Sequence, residues 1–116
     1  MKKALMIFGA TGNLMYKKLI PALNQLIKNH YIDETLKIFA IARTNQTTKE
    51  YFEQAKKEVK ESVDWLVLEK YVEYLSFDVN DDQDYHHLKE RMVNENYQDI
   101  SIYLAVPPQL FPALFI

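Results

Sequence analysis

The sequence predicts an α/β chain built as a doubly wound parallel sheet with strand order 3-2-1-4, and three observations carry that prediction. Ala4-Leu5-Met6-Ile7-Phe8 is a continuous apolar run, the pattern of a strand buried on both faces of a parallel sheet. The only two glycines of the chain, Gly9 and Gly12, follow it directly. Beyond them, apolar strand-like runs alternate with stretches whose apolar residues recur at helical spacing, giving β-α-β-α-β-α-β. The pattern stops after the fourth strand, so the sheet is predicted as a truncated, Rossmann-like one.

Residues 9 to 14, Gly9-Ala10-Thr11-Gly12-Asn13-Leu14, read as the turn between the first strand and the first helix. Gly9 can turn the chain tightly and let a ligand approach the backbone, and Gly12 does the same at the start of the helix. Amides left free there, with the positive end of the helix dipole behind them, suit a pyrophosphate. Gly-x-x-Gly taken alone fits a structural strand-to-helix turn as well as it fits a dinucleotide site.

Composition narrows the choices. A 116-residue chain with 48% hydrophobic residues is enough for one modest core. Net charge of -2 and a pI near 5.9 argue against a general nucleic-acid binder. With no cysteine there is no disulfide, thiolate metal site or cysteine nucleophile, which fits a reducing compartment such as the cytoplasm. Met1-Lys2-Lys3 opens like a signal peptide, but the apolar run ends at Gly9, too short for one, and no other stretch is long enough to span a bilayer.

Leu19, Ile20, Leu23, Leu26 and Ile27 recur at helical spacing and predict a helix from about Leu14 to Asn29. Pro21 lies inside it, so a bend near Lys17 and Lys18 is expected. After a polar connection, Leu36 to Ala42 reads as the second strand. In a dinucleotide fold the end of this strand lies beside the adenosine ribose, where NAD calls for a carboxylate. Arg43-Thr44 stands there instead, which suits the 2'-phosphate of NADP, although an arginine at a strand end is also an ordinary solvated residue.

Thr47 and Glu50 have capping-box spacing at the head of the next helix, whose apolar stripe is Tyr51, Phe52, Ala55 and Val59. Val63 to Lys70 is expected to form a further short helix that packs Trp65. Val72 to Asp78 alternates as a third strand nearer the sheet edge, and Asp81 to Asp84 opens an acidic helix start ahead of Tyr85, Leu88 and Met92. His86 and His87 are adjacent and point to different sides of that helix, so they read as solvated residues, as does His30 in its loop. Ile100 to Val106 is the fourth strand, stopped by Pro107-Pro108. The switch point of a 3-2-1-4 sheet falls between strands one and four, beside Gly9 and the end of the strand carrying Tyr103 to Val106.

These residues together resemble the opening of glucose-6-phosphate dehydrogenases. Gly9 to Leu23 is similar to that family's Gly-Ala-Ser/Thr-Gly-Asp-Leu-Ala turn followed by basic residues and Leu-Ile-Pro. Ile41-Ala42-Arg43-Thr44 resembles its Tyr/Ile-Ala-Arg-Ser/Thr, and Tyr103 to Pro108 its Tyr-Leu-Ala-Leu-Pro-Pro. Asn13, Met15 and Tyr16 depart from the pattern. The resemblance implies the amino-terminal coenzyme domain only, residues 1–116, with NADP held by Gly9, Ala10, Thr11, Gly12, Asn13 and Leu14 at the pyrophosphate. It further implies Arg43 and Thr44 at the 2'-phosphate, and Tyr103, Ala105 and Pro107 near the nicotinamide. Lys18 corresponds to a lysine near the family's active centre.

The family's Glu-Lys-Pro-Phe-Gly segment, and the Arg-Ile-Asp-His-Tyr-Leu-Gly-Lys segment that holds its catalytic base, have no counterpart in this sequence. The expectation is therefore a chain that binds NADP without turning over glucose 6-phosphate, with no catalytic residue and no metal of its own. A non-catalytic NADP-binding module or redox sensor is the alternative. The apolar stretch Leu110 to Ile116, beside an open fourth strand, predicts self-association through the carboxy-terminal end.

Overall fold

The computed structural model describes residues 2–105. Four parallel strands, β1 (Lys3–Phe8), β2 (Leu36–Ala42), β3 (Val72–Ser76) and β4 (Asp99–Leu104), form one sheet in the order β3-β2-β1-β4. That is the predicted order, with β3 at one edge. In register, Phe8 lies beside Ile41 on one side and Leu104 on the other, so the carboxyl ends of the three strands meet at the glycine turn.

Side chains of β1 and β2 alternate between two cores, which is why Ala4 to Phe8 and Ile38 to Ala42 read as continuous apolar runs. One face carries Ile7, Ile38, Ala40 and Ala42 with Tyr51, Phe52 and Leu68 of the covering helices. The other carries Met6, Phe8, Phe39 and Ile41 with Met92. The helices responsible are α1 (Ile20–Lys28), α2 (Thr48–Glu58) and α3 (Trp65–Tyr71) on the first face, and α4 (Asp82–Asn94) on the second.

Helix starts follow local chemistry. Thr47 accepts the Glu50 amide at 3.1 Å while the Glu50 carboxylate accepts the Thr47 amide at 2.9 Å, closing the predicted capping box. Asp64 caps α3 through the Val67 amide, and Asp81 caps α4 through the Gln83 amide. Trp65 meets Phe52 edge-on at 6.1 Å, the packing expected of the short helix.

The first helix differs from its sequence expectation. A simple proline bend was predicted over Lys17 and Lys18, but a π-helical segment, Met15–Leu19, runs directly into α1. The Ile20 amide reaches back five residues to the Met15 carbonyl. Pro21 has no amide for the Lys17 carbonyl and its ring crowds that group, so the chain accommodates it by widening the turn.

Candidate functional site

The turn after β1 is built by its two glycines. Gly9 has φ of 87°, a left-handed conformation in which a side chain is strained. A Cβ on Gly12 would stand 3.3 Å from the Gly9 carbonyl oxygen, and the Gly12 amide donates to that same oxygen at 3.1 Å. The Gly9 and Ala10 amides both donate to the Ile41 carbonyl, at 2.9 and 3.0 Å, so the turn is fastened to the end of β2. No backbone carbonyl among the described residues receives the amides of Thr11, Asn13 or Leu14. They are available to an anion at the start of the helix.

Thr11 and Asn13 line an open groove of about 670 Å3 together with Thr44 and Gln46 from the loop after β2 and Tyr16 beneath. Two of the sequence-predicted clusters, the glycine turn and the end of β2, thus share one concavity. Glu50, Glu53 and Glu58 of α2 line its far wall. Glu50 is engaged in its helix cap, and Glu58 accepts from the Gln54 side-chain amide at 3.0 Å. Arg43, the residue before Thr44, is exposed but is not among the residues that line this groove, and its guanidinium makes no hydrogen bond or ion pair among the described residues.

The β4 side approaches the turn from the opposite flank. The Ala105 amide donates to the Phe8 carbonyl at 2.8 Å, one residue before Gly9, and Tyr103 stands beside Ile7 with 44% of its surface exposed. Pro107 lies outside the described residues. Leu14 is exposed at the helix start, and Lys17 and Lys18 are exposed on the π segment. His86 pairs with Glu90 at 2.8 Å on the α4 surface, and among the described residues no cluster of three His, Asp or Glu side chains converges as a metal site would require. No described helix is long and apolar enough to cross a membrane.

Sequence reasoning treated Tyr51 and Tyr74 as core or strand residues and left Gln46 and Tyr16 out of the site. Yet the Tyr51 hydroxyl donates to the Ala10 carbonyl at 2.7 Å, and the Tyr74 hydroxyl donates to the Thr44 carbonyl at 2.6 Å. Nothing local in the sequence marks these bonds, which join residues 41 and 30 positions apart.

A glycine cradle with free amides at the switch point of a 3-2-1-4 parallel sheet defines a doubly wound, dinucleotide-binding α/β domain. A family model described as glucose-6-phosphate dehydrogenase, NAD binding domain, matches residues 6–115. The chain belongs to that family, and its cofactor class is accordingly a nicotinamide dinucleotide.

Among curated proteins it is similar to the glucose-6-phosphate 1-dehydrogenase of Buchnera aphidicola subsp. Acyrthosiphon pisum, 32% identical over 119 residues, covering 97% of this chain and 24% of that protein. The Saccharomyces cerevisiae enzyme of the same name is 32% identical over 118 residues, covering 90% and 23%. The solved structure of a glucose-6-phosphate dehydrogenase in complex with its substrate glucose-6-phosphate superposes with a TM-score of 0.78 at 29% identity, covering 97% of this chain and 26% of that one. Glucose-6-phosphate 1-dehydrogenase from Mycobacterium avium gives 0.80 at 28%, covering 98% and 26%. The chain thus spans about a quarter of the length of these relatives.

Proposed function

We propose that residues 1–116 are the coenzyme portion of a glucose-6-phosphate dehydrogenase-like oxidoreductase, and that they hold NADP in preference to NAD. The observation that carries the preference is the unpaired Arg43 guanidinium next to Thr44, whose groove is shared with Thr11 and Asn13 of the glycine turn. The amides of Thr11, Asn13 and Leu14 receive the pyrophosphate, and the left-handed φ open to Gly9 with the bare α-carbon of Gly12 leaves room for it. Arg43 and Thr44 bind the 2'-phosphate, the arginine as a two-pronged donor. Tyr103, Ala105 and Pro107 are assigned to the nicotinamide, and Lys18, exposed on the π segment, to the neighbourhood of the reacting centre.

When bound, the cofactor supplies a hydride acceptor for C1 of glucose 6-phosphate. This chain's residues bind and orient it, while the groups that hold the sugar and remove the C1 hydroxyl proton lie outside the assigned site. By itself the chain binds without turnover, and the reading places it in the cytoplasm.

Titration of the chain with NADP and NAD, followed by cofactor fluorescence or calorimetry, tests this. NADP is expected to bind more tightly, and Arg43→Ala to weaken NADP by about 1.5–3 kcal/mol with little change for NAD. Equal weakening of both cofactors would remove Arg43 from the 2'-phosphate.

The proposal includes association of this chain with a second copy through β4. That strand has a neighbour only on its β1 side among the described residues, and it exposes Ile100, Ile102 and Tyr103. Unpaired edge groups beside exposed apolar side chains favour pairing with another strand. The apolar stretch Leu110 to Ile116, on which the sequence expectation rested, lies outside the described residues.

A further inference from the structure

Tyr51 of α2 and Tyr74 of β3 meet in the core beneath the groove, 0% and 4% exposed, with ring centroids 5.0 Å apart and planes 20° from parallel. Their hydroxyls leave this stack toward two different loops. Tyr51 donates to the carbonyl of Ala10 in the glycine turn, and Tyr74 to the carbonyl of Thr44 in the loop after β2. Tyr16 flanks the stack at 6.3 Å from Tyr51.

We propose that the stacked pair positions the two loops of the dinucleotide site, and that Tyr74, through Thr44, is a determinant of NADP over NAD. The inference rests on the reading of Arg43 and Thr44 as the seat of the 2'-phosphate.

The reasoning is geometric. The glycine turn serves the pyrophosphate, which both cofactors carry, whereas the Arg43–Thr44 loop serves a phosphate that only NADP has. On the core side the glycine turn, already held to β2 by the Gly9 and Ala10 amides, receives the buried Tyr51 hydroxyl, and the Arg43–Thr44 loop receives the Tyr74 hydroxyl at the Thr44 carbonyl and the Ser76 hydroxyl at the Arg43 carbonyl. Planar rings stacked against each other have few ways to move, so the distance between the two hydroxyls is set by packing. The two tyrosines therefore fix the spacing between pyrophosphate and 2'-phosphate without touching either. Burial pushes the hydroxyls of Tyr51 and Tyr74 above the usual phenol range, so both remain protonated donors at ordinary pH.

Replacing either tyrosine by phenylalanine keeps the ring and removes only the tether. NADP and NAD titrations of the wild-type chain, Tyr51→Phe and Tyr74→Phe, with thermal melts of each, provide the test. Tyr74→Phe should weaken NADP by about fivefold or more and leave NAD within about twofold, the loss expected for one hydrogen bond. Tyr51→Phe should weaken both cofactors by a similar factor. A Tyr74→Phe chain that melts lower but keeps the wild-type NADP-to-NAD ratio has lost only stability, and overturns the inference while leaving the function proposed above intact. A wild-type chain that binds neither cofactor overturns both. Should Tyr51→Phe fail to fold, the Tyr74→Phe ratio still decides the matter.

Discussion

The Asn24 side-chain oxygen accepts the backbone amide of Asp64 at 3.0 Å, tying α1 to the residue that caps α3. Asn24 is the one polar residue buried in the described core, 2% exposed. Replacing it by alanine leaves the Asp64 amide without its acceptor and opens a small void. Asn24→Ala should cost about 1–3 kcal/mol in urea unfolding. A variant within a few tenths of wild type would mean that water replaces the asparagine oxygen without loss.

Arg91 of α4 grips both carboxylate oxygens of Glu73 on β3, reaches Glu95, and lies over the Phe39 ring at 5.2 Å. Its hydrogen bonds, opposed in part by burial, hold the Glu73 carboxyl below the usual range. A carboxylate depressed in the folded state contributes fully above its unfolded value, about 4.3, and loses that contribution as pH falls through the folded value. Glu73→Gln should therefore destabilise the chain by about 1–2 kcal/mol at pH 7, the part exposure of the pair reducing the gain. The gap to wild type should begin to close as the pH falls below the unfolded value and shrink further as it passes through the lower folded one. Parallel urea melts across pH 3–7 check this, and a constant gap would assign the loss to packing.

At Gly9 the backbone φ of 87° excludes an unstrained side chain. Gly9→Ala should lose about 1–2 kcal/mol of stability and, if the turn seats the pyrophosphate as proposed, weaken NADP and NAD together. Differential scanning fluorimetry with and without each cofactor reads both effects. Full retention of affinity would separate the cradle from dinucleotide binding.

Association through β4 predicts concentration-dependent sedimentation of the wild-type chain. Ile100→Lys with Ile102→Lys should abolish it, because lysine on an open edge opposes strand pairing. A wild-type monomer at high concentration would end the β4 dimer proposal.

Sheet order and helix starts were legible because their causes are local or periodic. Thr47 and Glu50 are three residues apart, and the apolar runs of β1 and β2 report burial on both faces. The turn was legible because only glycine serves at Gly9. The π segment was hidden, since Pro21 announces a disturbed register without saying whether the helix will bend or widen. The fastening of the site was hidden as well. Tyr51 reads as one apolar position in a stripe, and only the folded chain brings its hydroxyl to Ala10, 41 residues earlier.

The register of β1 bears on how the chain is born. Its first partner, β2, ends at Ala42, but the strand on its other side begins only at Asp99. At ribosomal rates of about 5–20 residues per second, roughly 3 to 11 seconds separate the synthesis of those two residues. Throughout that interval β1, an inner strand of the described sheet, has a naked edge. The Lys2 side chain, which finally bonds the Glu95 carbonyl, and the Lys2 carbonyl, which receives the Gln98 amide, are clasps that can close only after translation has passed them.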